Sequence, residues 1–339
     1  MNISFSNSTS DFCIQGAPDS LTVRNAKSIF LYIVGGFAVF GNIFVIKAAL
    51  KCSIRRRLHY LIINMAVADT LFVLTTLFYV LRKDFNIFMN IPESFAEALC
   101  KTMPFLNDVS FSASASALFI ISIDRFRATI VRKIRAQKRG TITVLVLSWL
   151  IPSICVAYGP RSKVLNGECL FLSDFHHYII SVVLILILVI QSFVILFLSI
   201  VTLKRLSKSS GIEGSLSEPQ RTTRARRMKK IVHMVICSLV LFSCNYFPVF
   251  IMALLILLSK LGYSICVDTS TMIFLFALFP VLNSSLSPYI YCVFLTDIRD
   301  SAKNLIVLRR LNICRIFKRK SVELKVVERQ NKVQVTENN

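Results

Sequence analysis

The chain has 339 residues, of which 55% are hydrophobic and only 17% charged, and its mean hydropathy is +0.64. A soluble domain carries about 25% charged residues, so an ordinary water-soluble fold is excluded. The formal net charge of +22 does not point to nucleic acid, because most Lys and Arg collect in alternate connectors between apolar stretches.

Residues 1–27 are polar, with no apolar core before Ser28, so no cleavable signal peptide is predicted. The first apolar segment is expected to serve as its own insertion signal. Two sequons, Asn2-Ile3-Ser4 and Asn7-Ser8-Thr9, mark Asn2 and Asn7 as glycosylation sites if this tail is exported. Seven apolar stretches follow, at 29–50, 60–81, 98–123, 141–158, 178–203, 231–258 and 271–295. Each approaches or exceeds the ~20 residues that cross ~30 Å of hydrocarbon. Only a helix satisfies its own backbone polar groups in lipid. The predicted fold class is therefore an all-α membrane protein, a seven-transmembrane helix bundle.

Basic residues fix its expected orientation. Arg55, Arg56 and Arg57 follow the first span, Arg125, Arg127, Arg132, Lys133 and Arg135 the third, and Lys204 to Lys230 the fifth; the tail from Arg299 holds eleven Lys and Arg. The positive-inside rule places the N-terminus outside and the C-terminus in the cytoplasm, at the plasma membrane. The expected organisation is an extracellular tail over 1–27, the seven-span domain over 28–296, an amphipathic surface helix over 297–310 and a cytoplasmic tail over 311–339. Cys13, Cys100, Cys169 and Cys266 then share the oxidising side, an even set that allows three pairings.

Within the spans, polar interruptions stand out. Asp69 is a carboxylate in mid-span, costing about 2.5–3.5 kcal/mol on insertion scales. Asp124 and Arg125 end the third span, where the arginine stem can lie along apolar surface while its charge reaches water. Asn107 lies five helical turns before Arg125 and shares its face. Ser112 to Ala117 alternates small residues suited to close helix approach. Pro248 removes a backbone hydrogen bond and bends the sixth span, giving its inner half a lever. The connector 207–223, with Gly211, Gly214 and Pro219, reads as a flexible loop carrying phosphosites. Beyond Tyr291, Phe294, Ile298, Ala302, Leu305 and Ile306 recur at helical spacing among basic residues, as in a membrane-surface helix; Cys314 just beyond is a palmitoylation candidate.

The ordered set of motifs resembles the rhodopsin-like G-protein-coupled receptors over about 28–310, with features of neuropeptide receptors. It comprises Gly41-Asn42, the run Asn64-Met65-Ala66-Val67-Ala68-Asp69, Cys100 with Cys169, Asp124-Arg125-Phe126, Trp149, Phe242 with Pro248, and Asn283-Ser284-Ser285-Leu286-Ser287-Pro288-Tyr289-Ile290-Tyr291. Departures are Ser287 for the usual asparagine, Tyr246 for tryptophan, Phe126 for tyrosine, and a fifth span without proline.

The resemblance implies a receptor that binds an extracellular ligand and activates a heterotrimeric G protein by outward movement of helix six, with arrestin, receptor kinase and membrane lipid as further partners. Its coupling and switch residues would be Asp124, Arg125, Phe126, Phe242, Tyr246, Pro248, Pro288 and Tyr291. Arg125 would pair with Asp124 at rest. Where many members carry a second restraining acid this chain has Met228, which predicts ligand-independent signalling. Asp69, Ser114, Asn283, Ser284 and Ser287 would surround a sodium ion acting as an allosteric modulator; no other cofactor is expected. The implied disulfide is Cys100–Cys169, with Cys13–Cys266 as a second clamp found in some peptide-binding members.

Tyr79, Asn107, Asp108, Phe111, Tyr246 and Phe250 would line the ligand pocket. Amine receptors carry aspartate where Asn107 stands, which weakens a monoamine ligand; Arg125-Phe126-Arg127-Ala128 and the basic inner end of span six resemble neuropeptide receptors, so a peptide ligand is favoured over a small amine, nucleoside or lipid. A transporter or channel is the competing class, but the halves of the chain are not self-similar. The four histidines have no metal-ligand spacing, no enzyme activity is expected, and 271–295 has no lysine for a retinal Schiff base.

Overall fold

The computed structural model describes residues 19–52, 57–85, 87–130, 138–156, 161–165, 168–172, 175–208, 218–260, 269–305 and 307. Asn2, Asn7, Cys13, Cys266 and Cys314 lie outside these described residues, as do the side chains of Tyr246, Pro248 and Phe250.

Among the described residues, seven long helices follow one another: α1 (Leu21–Lys51), α2 (Arg57–Asp84), α3 (Glu93–Ile130), α4 (Lys138–Val156), α5 (Phe175–Lys208), α6 (Glu218–Lys260) and α7 (Thr269–Phe294). An eighth, α8, covers 296–305. The Ser20 hydroxyl caps α1 by accepting from the Val23 amide at 3.3 Å, which satisfies one of the orphan donors of a helix start. α1 thus begins within the polar segment 1–27. Stretches long and apolar enough to cross a bilayer lie in α1, α2, α3, α5 and α7, with a shorter one, Gly140–Ile154, in α4.

Outward faces are apolar: Phe30, Ile33, Phe37 and Phe40 on α1, and Ile190, Phe193 and Phe197 on α5, are exposed. Water does not tolerate apolar patches of that extent, whereas hydrocarbon does. Polar groups turn inward instead, with Asn42, His59, Asp69, Ser114, Ser284 and Ser287 all buried. The arrangement is that of a bundle solvated by lipid.

Between α4 and α5 a hairpin pairs β1 (Arg161–Leu165) with β2 (Glu168–Leu172), antiparallel, with Val164 opposite Cys169. The sequence between the strands is Asn166-Gly167, the pair that tight hairpin turns favour. Cys169 is bonded to Cys100 of α3, Cα to Cα 5.8 Å, and the bridge packs with Phe88 and Ala96. This fixes a disulfide end of the bundle. The opposite end carries Arg125.

The largest core cluster joins Leu61 and Ile62 of α2, Ile121 of α3, Ile195 of α5, Ile231 and Met234 of α6 and Tyr291 of α7. Ile298 and Ala302 of α8 are buried in the same cluster, with Leu305 packed against it. The apolar stripe that reads in sequence as a membrane face is therefore used for docking α8 onto the bundle.

One contact explains two motif residues at once. Pro288 has no amide hydrogen, so the carbonyl of Ser284, one turn earlier, loses its helical donor. The Asn42 side-chain amide of α1 donates to that carbonyl at 2.9 Å. Asn42 reaches it because Gly41 lets α7 come close: a Cβ there would sit 3.1 Å from Pro288 Cγ. Gly41→Ala is expected to change stability little, since the ~1 kcal/mol that alanine gains over glycine in a helix offsets a small shift of the ring. Gly41→Ile is expected to cost about 1–3 kcal/mol by overpacking and to lower the thermal midpoint of the purified chain. An unchanged midpoint in Gly41→Ile would refute the close approach.

Candidate functional site

A polar chain runs through the bundle interior from the disulfide end to the Arg125 end. Its centre is Asp69 of α2, whose Oδ1 accepts from the Ser114 hydroxyl of α3 at 2.8 Å. Asp69 Oδ2 is buried with no hydrogen-bond partner. Ser287 of α7 stands beside the carboxylate, while its hydroxyl donates to the Asn283 carbonyl at 2.9 Å. The fold thus brings Asp69, Ser114 and Ser287 together. Ser284 is buried and contributes its carbonyl to Asn42, and Asn283 contributes its carbonyl to Ser287. Hard oxygen donors around an unpartnered carboxylate oxygen suit a small cation. One turn on, the Tyr291 hydroxyl is fully buried and 3.9 Å from Met65 Sδ.

Towards the disulfide end, the Asn107 amide of α3 donates to Thr75 and Thr76 of α2, both at 2.9 Å, and to the Phe72 carbonyl at 3.3 Å. Its donor edge is occupied by α2. Asp108, the next residue round the helix, is exposed. Phe111 stacks on Phe242 of α6 at 5.3 Å and tilts against Phe72 at 5.6 Å, so its ring joins α2, α3 and α6 in the interior. Tyr79 lies under the Arg82 guanidinium at 4.2 Å, and Phe88 covers the same cation at 5.2 Å. Lys27 of α1 reaches Asp19 at 2.9 Å and Thr271 of α7 at 3.2 Å, and the Ser270 hydroxyl donates to Asp19. The chain entering α1 is thereby tied to the start of α7.

At the other end the pairing differs from the one the motif implies. Asp124 pairs with Arg57 of α2, 3.2 Å apart, instead of with its neighbour Arg125. Successive helix residues point ~100° apart, so Asp124 faces α2 while Arg125 faces α6. Arg125 Nη1 lies 3.8 Å from Met228 Sδ, the position where an acid would have held it. Phe126 packs under the Arg205 guanidinium of α5 at 5.0 Å, a cation–π contact.

Reading the sequence passed over Asp297. Its carboxylate pairs with Arg227 of α6 and lies 3.7 Å from Nε2 of the buried His59 of α2. Cys52, ending α1, has its sulfur 3.6 Å from the Asp297 carbonyl and 3.4 Å from the Ser301 hydroxyl. The one available signal was compositional: Asp297 and Asp300 are the only acids in the basic run 292–320. Asn64 was noticed as a motif residue without a role; its Oδ1 accepts from the Trp149 indole at 2.7 Å, linking α2 to α4. Among the described residues there is no His, Cys, Asp or Glu cluster suited to a metal ion.

Residues 41–291 match the family of 7 transmembrane receptors (rhodopsin family). The chain is 28% identical over 291 residues to an allatostatin-A receptor of Bombyx mori, covering 79% of this chain and 76% of that protein. It is 32% identical over 143 residues to C-C chemokine receptor type 6 of Mus musculus, covering 39% of this chain and 37% of that receptor. It is 32% identical over 153 residues to the alpha-1A adrenergic receptor of Canis lupus familiaris, covering 41% and 48%. The interior chain from Asp69 to Tyr291 and the Asp124-Arg125 end fall wholly within the matched span, and the protein is accordingly a member of the rhodopsin family of seven-transmembrane receptors, a multi-pass membrane signalling receptor rather than an enzyme.

Proposed function

We propose that this receptor sits in the plasma membrane with its N-terminus outside, binds a peptide at the disulfide end and activates a heterotrimeric G protein at the Arg125 end by outward movement of α6. The observation that carries the reading is the pattern of contacts α6 makes. Among the described residues, Arg125 meets a thioether on α6, while Arg227 of α6 is held by Asp297. A helix that packs by apolar contacts and, among the described residues, has one partly exposed ion pair at its Arg125 end, with a proline at 248 further along, is suited to a two-state hinge, and a ligand acts by favouring one state. Arginine released towards an open crevice is then free to meet the G protein. Receptor kinase and arrestin would act on the 311–339 tail and on the connector between α5 and α6, which is shorter than the 207–223 loop read from sequence because α5 runs to Lys208 and α6 starts at Glu218.

A peptide ligand is favoured by two things. The allatostatin-A and chemokine receptors that the chain resembles are named for ligands of peptide character. Asn107, where an amine receptor needs its aspartate, has its amide engaged by α2. The decisive test is a peptide and small-molecule library screened on cells expressing the chain with a promiscuous G protein. A response to peptides is expected, abolished in Arg125→Ala at equal surface expression; an ion current or solute flux without G protein would replace the reading with a transporter. In the same cells Asp297→Asn is expected to raise ligand-independent signalling about two- to fivefold, a modest factor because the ion pair is partly exposed. No rise would remove Asp297 as the restraint that stands in for the acid missing at Met228.

Asp69, Ser114 and Ser287 would hold a sodium ion that favours the resting state, with Asn283 and Ser284 lining the neighbouring turn. The ion would be the partner that Asp69 Oδ2 lacks and would balance the carboxylate charge. Sodium chloride is expected to raise the thermal midpoint of the purified wild type above that in choline chloride, and to leave Asp69→Asn unmoved. Equal midpoints of the wild type in both salts would end the proposal.

The link from Asp19 to Ser270 supports a Cys13–Cys266 bridge. Cys13 precedes Asp19 by six residues and Cys266 precedes Ser270 by four, spans of about 20 Å and 13 Å when extended, so the two sulfurs are within reach. Asn2 and Asn7 would carry glycans on the same tail. Peptide mapping without reductant is expected to recover Cys13 linked to Cys266; recovery of both as alkylated thiols would dismiss the clamp.

A further inference from the structure

A cavity of about 520 Å³ opens at the Arg125 end between the start of α2, the first turns of α6 and the α7–α8 junction. One wall is a run of cations on α6, Arg226, Arg227, Lys229 and Lys230. Arg226 lies three and four residues before Lys229 and Lys230, and Arg227 three before Lys230, which puts these pairs on neighbouring turns, with Thr223 and His233 one turn further each way. Asp297 is the one carboxylate among the described lining residues, and it is paired with Arg227. Three cations therefore face this space without an acid of the cavity to offset them.

The floor is apolar, formed by Leu58, Ile231, Phe294 and Leu295. A concave space of this size suits a molecule larger than a lone phosphate. Clustered like charges around a concave space raise the local concentration of anions and favour a multivalent one. Basic pockets between helices at the cytoplasmic face match phosphorylated lipid headgroups, and α8, which borders the cavity through Thr296 and Asp297, lies along that same level of the bundle.

We propose that this cavity binds the headgroup of an inner-leaflet polyphosphoinositide, its phosphates on Arg226, Lys229 and Lys230 and its ring over Phe294 and Leu295. The inner-leaflet assignment rests on the orientation given under Proposed function. A phosphate here also competes with Asp297 for Arg227, so lipid occupancy loosens the ion pair that holds α6.

The test uses the full chain in phosphatidylcholine nanodiscs, without G protein, titrated with fluorescent phosphatidylinositol bisphosphate. Binding is therefore read separately from signalling, and the two readings can fail independently. The pair Arg226→Gln/Lys230→Gln is expected to weaken binding about 25-fold, at about fivefold per cation removed. The control pair Lys204→Gln/Arg205→Gln, at the end of α5 with the same charge change, is expected to leave binding nearly unaltered. No loss in the first pair, or the same loss in both, overturns the site. Soluble inositol trisphosphate is expected to displace the lipid only weakly. Equal affinity for the soluble compound would assign the cavity to a free phosphate, and displacement by a phosphorylated 311–339 peptide alone would assign it to the tail; either overturns the lipid proposal.

Discussion

Hydrocarbon offers no hydrogen-bond partner, and every feature of this bundle follows from that. Backbone groups must be satisfied within each span, so the chain is helical wherever it crosses. Any backbone group that a proline strips of its partner needs a donor from elsewhere in the protein. The Ser284 carbonyl, freed by Pro288, is met by the Asn42 amide, and the absence of a side chain at Gly41 makes that meeting possible. Because lipid tails are as apolar as leucine, helices associate through packing and through such polar contacts. Asn64 with Trp149, Asn107 with Thr75 and Thr76, and Asp69 with Ser114 each tie α2 to another helix.

These contacts make the interior a continuous set of coupled groups. Asp69 sits where α2, α3 and α7 meet, and the stacked rings of Phe72, Phe111 and Phe242 extend the connection to α6. A change of α6 position must disturb the Phe111–Phe242 stack at one end and the Arg227–Asp297 pair at the other. The two ends differ in kind. The disulfide end is braced by a covalent bond and by the Lys27–Asp19–Ser270 link, whereas the Arg125 end is held by ion pairs whose carboxylates reach towards the bilayer surface. The proposed transmission from one end to the other would draw on this difference, a covalently braced end opposite one held by ion pairs.

Ion pairing at the Arg125 end separates what neighbours in sequence can do from what neighbours in space do. Asp124 and Arg125 are adjacent along the chain, yet helix geometry turns them towards different partners, and Arg57 takes the aspartate. Phe111, a ligand-pocket candidate in sequence, stacks on Phe242 of α6, a partner that its place in the chain does not reveal. Asp297, which no motif marks, holds Arg227 and His59 at its carboxylate and the end of α1 at its backbone carbonyl.

The sequence by itself determined the number and order of apolar segments, the all-helical class and the presence of a polar residue in mid-span, because lipid imposes length and hydropathy on each span separately. It also identified which positions carry the motif, including Met228 in place of an acid. Tertiary structure alone decided which charges pair, which aromatic rings are internal and where a basic cavity opens between α2, α6 and α8. Those depend on the rotation and depth of each helix against its neighbours, set by side chains distant in the chain that meet only when all the spans are packed.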